Sequence, residues 1–193
     1  MIVTISIIAA LFSNGDSKHV ENFLDKNVEI VHTVLKDDGV FPNNRLPLIL
    51  YIGAINFSEG DGVSKVEKIF RTNHWGNSWR NGIYGFHHYH STAHEVLGVY
   101  SGSAKVQLGG EQGQTFKIEK GDIVLIPAGV AHKNLGSSVD FRVVGAYPEG
   151  QSWDMNYGNE GERPVADENI KNVPLPETDP VFGKSGPVIE LWK

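Results

Sequence analysis

The apolar positions of the chain fall in short runs, separated by clusters of glycine, asparagine, aspartate and proline. Within these runs, apolar residues alternate with polar ones or continue unbroken over about four to eight positions, which is typical of strands. Connections such as KGD and PAGVAH separate neighbouring runs by only a few residues. The pattern therefore predicts an all-β domain. The predicted strands include residues 28–35, 46–55, 103–108, 115–120, 122–127 and 140–147.

Some segments depart from this pattern. Residues 61–73 repeat apolar side chains at helical spacing, which predicts one helix on the outside of the sheet. From about Pro148 the chain is rich in proline and charge, which predicts an extended, partly irregular arm. Within this arm, residues 166–172 favour one or two helical turns, and residues 187–192 are apolar enough to return as a strand or a packed segment.

The N-terminal run of about 11 apolar residues is shorter than the roughly 20 residues that a membrane-spanning helix needs. Its length would suit a signal peptide, but no Lys or Arg precedes it and no A-x-A cleavage site follows it. We therefore expect this run to form a strand or helix that docks on the domain.

Length and composition narrow the possible functions. A chain of 193 residues predicts one domain, residues 1–193, in which 1–81 hold the first strands and the helix, 82–147 the motif-bearing core and 148–193 the arm. The chain has no cysteine, which excludes disulfides and thiolate metal sites and suits a reducing, cytoplasmic compartment. A formal net charge of -6 without a Lys/Arg cluster argues against nucleic acid as a partner, and we expect no membrane partner.

Four of the eight histidines lie in residues 82–102, with the sequence GIYGFHHYHSTAHEVLGVYSG. Residues two apart share a face of a strand, so His88 and His90 point the same way at about 7 Å, close enough to bind one ion. Glu95 lies an odd number of residues beyond His90, so it joins that face only if the intervening STAH stretch is a turn or bulge. His132, just after the PAGV turn, is the candidate for a distant fourth ligand.

Several side chains are placed to shape a pocket beside these histidines, although core packing would also explain them. They are Tyr84, Phe86, Phe141, Val143 and Tyr147. The stretch NHWGNSWRNG, which contains Trp75, Trp79 and Arg80, predicts a loop that closes either the mouth of the fold or an interface.

Two spaced motifs make the chain resemble the cupins. The first cupin motif runs Gly, five residues, His-x-His, three or four residues, Glu, six residues, Gly, and the matching residues are Gly82, His88, His90, Glu95 and Gly102. The second runs Gly, five residues, Pro-x-Gly, two residues, His, three residues, Asn, and the matching residues are Gly121, Pro127, Gly129 and His132. Gly136 stands where the second motif has Asn, which leaves the His and Glu pattern unchanged.

More narrowly, the chain is similar to the YjlB-like cupins, a group of small single-domain proteins without an assigned activity. The similarity extends over about residues 29–192 and is carried by stretches such as GDIVLIPAGVAHKNL, VVGAYPEGQSWDM and VPLPETDPVFG. It identifies a family without identifying a reaction.

The resemblance implies an all-β fold, a cupin jelly-roll (double-stranded β-helix) barrel with one short helix and an extended C-terminal arm. It also implies one divalent metal ion inside the barrel, bound by His88, His90, Glu95 and His132. This mixed set of nitrogen and oxygen ligands suits Fe, Mn, Ni, Co, Cu or Zn. His94 stands where the shorter form of the first motif places its Glu, so a site of four histidines is an open alternative.

Cupins include both enzymes and binding proteins, and the fold does not decide between them. One hypothesis is a metal-dependent enzyme that acts on a small molecule as an oxygenase, isomerase or lyase. The alternative is a non-catalytic small-molecule binding or sensing protein. The family and the free strand edges of such a fold also predict a homodimer.

Overall fold

The computed structural model describes residues 3–8, 22–25, 27–57 and 62–193, with the backbone alone for residues 3–8. Strands make up most of the regular structure in these ranges, which confirms the prediction of an all-β fold. They are β1 (Val3–Ile8), β2 (Asn27–Thr33), β3 (Leu48–Ile52), β4 (Trp75–Asn81), β5 (Glu95–Ser101), β6 (Ser103–Leu108), β7 (Gln114–Glu119), β8 (Ile123–Ile126), β9 (His132–Ser137) and β10 (Arg142–Pro148). The described helices are α1 (Gly62–Thr72), α2 (Val165–Asn172) and α3 (Pro187–Leu191).

The strands form two antiparallel sheets, in the jelly-roll architecture that the sequence resemblance implies. The larger sheet has the order β1-β2-β3-β8-β5-β10-β4, and the smaller has the order β7-β6-β9. From β3 onward, neighbouring strands of the larger sheet are remote in sequence, because β8 lies between β3 and β5 and β10 lies between β5 and β4, as in a double-sheet jelly roll rather than a series of hairpins.

The central strands of the larger sheet, β3, β5 and β8, are buried on both faces. Leu48 and Leu50 of β3 belong to the core between the two sheets. Ile49 and Tyr51, on the opposite face of the same strand, belong to a second core with α1 and the C-terminal segment. Burial of both faces explains why β3, β5 and β8 have almost continuous apolar sequences instead of an alternating pattern.

The helix predicted at residues 61–73 is confirmed as α1. Its buried side chains, Val66, Ile69 and Phe70, lie against the second core. Gly98 of β5 permits this close packing, because a Cβ atom at that position would lie 2.4 Å from Val66 Cγ1.

The C-terminal arm returns to the domain and is more helical than the expected extended arm. The turns predicted at residues 166–172 are confirmed as α2. Residues 187–192, expected as a strand or packed segment, form α3 and then bury Trp192, whose indole N–H donates to the Pro47 carbonyl over 2.9 Å. The arm therefore holds two short helices, of which α3 was not predicted, and Pro187 suits the first turn of α3 because its φ is fixed near the helical value.

The stretch NHWGNSWRNG, expected to be a loop, is mainly the strand β4. This strand pairs with β10 at one edge of the larger sheet, and the pairing shifts register between Gly145 and Tyr147. Asn77 has a φ of 51°, which Asn and Gly tolerate better than other residues. The irregular edge explains why the sequence of β4 has the composition of a loop.

The N-terminal apolar run begins as the expected strand. β1 pairs with β2 at the edge of the larger sheet that lies opposite β4. The rest of the run, residues 1–2 and those from residue 9 onward, lies outside the described residues. None of the helices in the described ranges has the length and apolar character of a membrane-spanning segment.

Candidate metal centre

The side chains singled out by motif spacing come from three separate parts of the fold. His88 and His90 lie in the extended segment between β4 and β5, Glu95 opens β5 in the larger sheet, and His132 opens β9 in the smaller sheet. Two backbone hydrogen bonds, of 3.3 Å and 2.9 Å, join His88 to His132. All four side chains are buried. The fold therefore brings together residues that are distant in the sequence.

The donor atoms of these side chains converge. One ring nitrogen from each of His88, His90 and His132 lies within 4.8 Å of the other two. Glu95 Oε2 lies 3.5 Å from His90 Nε2 and 3.3 Å from His132 Nε2. One ring nitrogen from each of the three histidines thus faces a common point. Glu95 lies beside this group, close to His90 and His132, without belonging to the set of mutually close atoms.

Backbone carbonyls set the tautomer of each histidine in this cluster. The Nδ1 atom of each ring donates to a carbonyl, and the pairs are His88 with Phe86, His90 with Asp154 and His132 with Val130. A carbonyl oxygen only accepts hydrogen bonds, so each neutral ring carries its proton on Nδ1. The unprotonated Nε2 atoms are therefore the ones available to a metal, as in many histidine-bound metal sites.

This donor set fits a divalent cation. When all three rings are neutral, three unprotonated nitrogens and a carboxylate are all hydrogen-bond acceptors, so they cannot satisfy one another. Glu95 Oε2 is buried and accepts no hydrogen bond from any described residue. An unpaired buried charge is costly, and a cation would compensate it. Imidazole nitrogen and carboxylate oxygen are both common ligands of zinc and of first-row transition metals.

Electrostatics distinguish the members of the cluster. Burial and the neighbouring His132 lower the pKa of His88 to about 3, so this ring is neutral at pH 7. Burial alone would lower the pKa of His90, but Glu95 raises it above its usual value. Burial alone would raise the pKa of Glu95, but His90 and His132 hold it well below its usual range. Glu95 is therefore a carboxylate, and His90 takes up a proton more readily than His88.

The second oxygen of Glu95 is held by a chain of hydrogen bonds. Tyr147 on β10 donates its hydroxyl hydrogen to Glu95 Oε1 over 2.8 Å. Trp79 on β4 donates its indole N–H to the Tyr147 hydroxyl over 2.9 Å. Burial and the Glu95 charge raise the pKa of Tyr147, so the phenol stays protonated. This chain orients Glu95 so that Oε2 faces the imidazoles.

The arm that follows β10 holds the bend between His90 and Glu95, a role that the sequence does not indicate. The Asp154 carboxylate accepts hydrogen bonds from both the backbone N–H and the hydroxyl of Ser91, and from the N–H of Thr92. These bonds stabilise the turn that the odd spacing between His90 and Glu95 requires. An aspartate in a polar, irregular segment has no periodic signal that would distinguish it from a surface residue.

His94 lies outside the cluster of donor atoms. Its Nδ1 accepts a hydrogen bond from the Ala128 N–H over 3.0 Å, and its ring contacts Trp192 at 4.6 Å between centroids. His87, which strand alternation turns away, is also absent from the cluster. Glu95 Oε2 thus lies within 3.5 Å of two of the clustered histidines, whereas Nδ1 of His94 is occupied by the Ala128 N–H.

A cavity of about 220 Å³ opens beside the candidate metal centre. Of the side chains that the sequence suggests for a pocket or its mouth, those that border this cavity are Trp79, Arg80, Tyr84 and Tyr147. Those that pack in the hydrophobic cores instead are Trp75, Phe141 and Val143. Phe86 does neither: it is largely exposed and stacks on the Tyr84 ring outside the cavity lining. Trp153 and Met155 of the arm also border the cavity, and sequence reasoning missed both because they lie in an irregular segment.

Comparison with known proteins gives one strong sequence relationship. The family model described as Cupin domain matches residues 81–144. The Uncharacterized protein YjlB of Bacillus subtilis (strain 168) is 43% identical over 157 residues, which cover 81% of this chain and 92% of that protein. The relationship therefore extends well beyond the motif-bearing core.

Among solved structures, a DUF861 family protein from Thermotoga maritima is 25% identical, with 45% of this chain and 92% of that chain covered and a TM-score of 0.30. Acireductone dioxygenase from Bacillus anthracis, with a cadmium ion in its active center, is 13% identical, with 66% and 83% covered and a TM-score of 0.38. Oxalate decarboxylase from Bacillus subtilis, with Mn(II) centers, is 14% identical, with 69% and 28% covered and a TM-score of 0.32.

Proposed function

Since this chain belongs to the cupin superfamily, in the same group as YjlB of Bacillus subtilis, we propose that it is a metal-dependent enzyme that acts on a small molecule. The observation that carries the proposal is the convergence of one ring nitrogen from each of three histidines beside a cavity, with a carboxylate oxygen close to two of them. The residues that would hold one divalent ion are His88, His90, Glu95 and His132. When bound, an ion such as Fe, Mn, Ni, Co, Cu or Zn supplies Lewis-acid or redox chemistry, which suits an oxygenase, isomerase or lyase.

The side chains around the ion site have their own roles in this proposal. The three carbonyls that accept from Nδ1 hold the imidazoles in the orientation for binding. Tyr147 and Trp79 orient Glu95 and keep a proton on the Tyr147 hydroxyl next to the cavity. The mainly apolar and aromatic lining limits the water that can reach a bound molecule.

The metal site is tested by ligand variants. We expect His88→Ala and His132→Ala each to lose stoichiometric binding of zinc, measured by metal analysis after desalting and by competition with a chromophoric chelator. The matched control is His87→Ala, which removes a neighbouring buried histidine that lies outside the cluster and should keep the ion. Full zinc stoichiometry and affinity in a folded His88→Ala or His132→Ala protein would show that the assignment is wrong.

The choice between Glu95 and His94 needs its own pair of variants. We expect Glu95→Gln to weaken zinc binding by at least about 10-fold to 100-fold, since even residues that only support metal ligands cost this much when removed. His94→Gln should bind zinc as the unmodified protein does. The reverse result would favour the four-histidine site.

Turnover separates the enzyme from a binding or sensing protein. The protein would be loaded with Fe(II) under anaerobic conditions and then mixed with oxygen and a panel of small molecules. Substrate-dependent oxygen consumption or product formation, absent in the His132→Ala protein, is the expected result. Tight binding of a panel member without any product would instead support the sensing function.

A further inference from the structure

The cavity beside the candidate metal centre is walled mainly by aromatic rings. Its aromatic residues, which we name the aromatic collar, are Trp79, Tyr84, Tyr147 and Trp153. Tyr84 and Trp153 are 50% and 47% exposed, although both are large and largely apolar side chains. Exposed apolar rings that border a cavity are typical of a ligand-binding surface.

The collar directly contacts the histidines of the centre. The Trp153 ring lies 5.4 Å from the His90 ring, and it stacks on the Tyr147 ring at 6.1 Å with an interplanar angle of 23°. The Tyr84 ring lies 5.2 Å from the His88 ring. A ligand in contact with the exposed rings therefore has one end at the candidate metal centre.

The cavity is poorly suited to a polyanion. Apart from histidine, the charged side chains among its described lining are Arg80 and Glu95. The Arg80 Nε and Nη2 atoms already donate to the Glu67 carboxylate, over 2.6 Å and 2.8 Å. A phosphate or a second carboxylate would therefore compete with an existing bidentate pair, which argues against sugar phosphates and nucleotides.

The charge of the donor set limits the charge of the ligand group that can bind the ion. Three neutral imidazoles and one carboxylate leave a divalent ion with one net positive charge. A singly deprotonated oxygen group, such as a hydroxamate, an enolate or a catechol monoanion, would neutralise that charge. A group with two or more negative charges would reverse it inside a buried site, at an electrostatic cost.

The volume of the cavity is compatible with one aromatic ring. Its volume of about 220 Å³ exceeds the roughly 150 Å³ that accommodates benzene in a protein interior. It is smaller than the roughly 300 Å³ at which pockets for drug-sized ligands begin. One aromatic ring with a short polar group matches this range.

We propose that the cavity takes a single-ring aromatic molecule with a singly charged, metal-binding oxygen group, and that the ring packs between Tyr84 and Trp153. The inference rests on the metal-dependent function proposed above and specifies the substrate class of the same site. Flat apolar rings would be recognised by the exposed collar, and the charged oxygens by the ion.

The test compares two probes that share one metal-binding group. Acetohydroxamate and benzohydroxamate carry the same bidentate oxygen group, but only benzohydroxamate has an aromatic ring. Zinc-loaded protein would be titrated with each probe by isothermal calorimetry, which needs no turnover. We expect benzohydroxamate to bind about 10-fold tighter or more, because burial of a phenyl ring is worth about that much.

Variants locate the source of this preference. We expect Trp153→Ala to bring the two dissociation constants within about 3-fold of each other, measured at full zinc loading, because the ring preference and not the metal-binding group depends on the collar. Tyr84→Ala should act in the same direction and covers the case in which Trp153→Ala fails to fold. The matched control is Tyr157→Ala, since Tyr157 is a nearby aromatic residue that is 48% exposed but does not border the cavity.

Each way in which the inference could fail gives a different experimental result. Equal affinities for the two probes in zinc-loaded protein would overturn the aromatic substrate class and leave the metal site intact. Failure to retain zinc would overturn the proposed function and, with it, this inference. If collar variants dissociated an oligomer without changing the ring preference, the collar would be a subunit interface and the inference would be wrong.

Discussion

Each histidine of the candidate metal centre donates its Nδ1 proton to a backbone carbonyl, so the Nε2 lone pairs are available before any ion binds. Glu95 is oriented in the same way through Tyr147 and Trp79. Site geometry fixed in advance lowers the entropy that ordering would cost on binding. At the residue scale, metal affinity should therefore depend both on the four donor side chains and on the groups that orient them.

The Tyr147 hydroxyl should be such a supporting group. Tyr147→Phe leaves Glu95 Oε1 and the Trp79 indole N–H without their shared partner, so we expect zinc affinity to fall by about 10-fold to 100-fold. The free energy of unfolding, measured in urea, should fall by about 1–3 kcal/mol. Tyr84→Phe is the control, since Tyr84 borders the cavity without bonding to Glu95. Unchanged zinc affinity in Tyr147→Phe would contradict this role.

The pH dependence of metal binding should follow the protonation of the His90 ring. Metal binds the neutral ring, and Glu95 raises the pKa of His90 above 6.5, so protons compete from near-neutral pH downward. His88, with a pKa of about 3, does not compete in this range. We expect zinc affinity, measured by competition between pH 8 and pH 5.5, to fall by about 10-fold per pH unit below the His90 pKa. A constant affinity over this range would disprove the role of His90.

At the scale of elements, the pairing of β4 with β10 builds one wall of the cavity. Trp79 on β4 and Tyr147 on β10 meet across this pair, near its register shift. Gly145 lies opposite Trp79, and a Cβ atom there would come within 2.2 Å of the indole ring. The missing side chain at Gly145 therefore creates the space that Trp79 occupies.

Gly145→Ala should displace Trp79 and strain the strand pair. We expect the free energy of unfolding to fall by about 1–3 kcal/mol, as for other overpacked positions, and the near-UV circular dichroism of the tryptophans to change. Gly76→Ala is a matched control on the same strand pair, because a Cβ atom at Gly76 meets nothing within 4 Å. Equal stabilities of the two variants would argue against this packing role.

On the scale of the whole molecule, the candidate centre joins the two sheets. Glu95 opens a strand of the larger sheet, and His132 opens a strand of the smaller sheet. Leu97 belongs both to the core between the sheets and to the wall of the cavity. An ion bound here would therefore connect the two sheets and raise the free energy of unfolding of the whole domain.

Metal binding should raise the melting temperature. At a free zinc concentration about 100 times the dissociation constant, binding to the folded state alone adds about 2.7 kcal/mol. For a chain of this length we expect a rise of about 5–10 °C, measured by scanning calorimetry and reversed by a chelator. His88→Ala should show no such rise. A melting temperature that is independent of zinc in the unmodified protein would count against a site in the folded state.

Assembly is also a prediction at this scale. β1 and β4 are the terminal strands of the larger sheet, and an unpaired strand edge is a template for association. We expect a homodimer, with a mass by light scattering of twice the 21.2 kDa of one chain at micromolar concentration. A mass equal to one chain would refute the prediction.

Periodic and closely spaced features could be predicted from the sequence because their cause is local. Burial of one or both faces of a strand leaves an apolar pattern in consecutive residues, which is why β6, β7, β8, β10 and α1 are found where the sequence predicts them. The strand β9 was not predicted, because its largely polar stretch lacks this pattern. The same local geometry places His88 and His90 on one face and requires a turn before Glu95. The motif spacing adds His132.

Features that join separate elements were decided only by the tertiary structure. The separation of His94 from the cluster, the Tyr147 chain to Glu95 and the Asp154 bonds to the turn all depend on how distant segments pack. Likewise, β4 is a strand because β10 supplies its partner, although its own composition predicts a loop. The sequence by itself determined the fold class and which residues compete for the ion. Long-range packing decided the orientation of their lone pairs and the shape of the cavity, because those depend on contacts that no local pattern encodes.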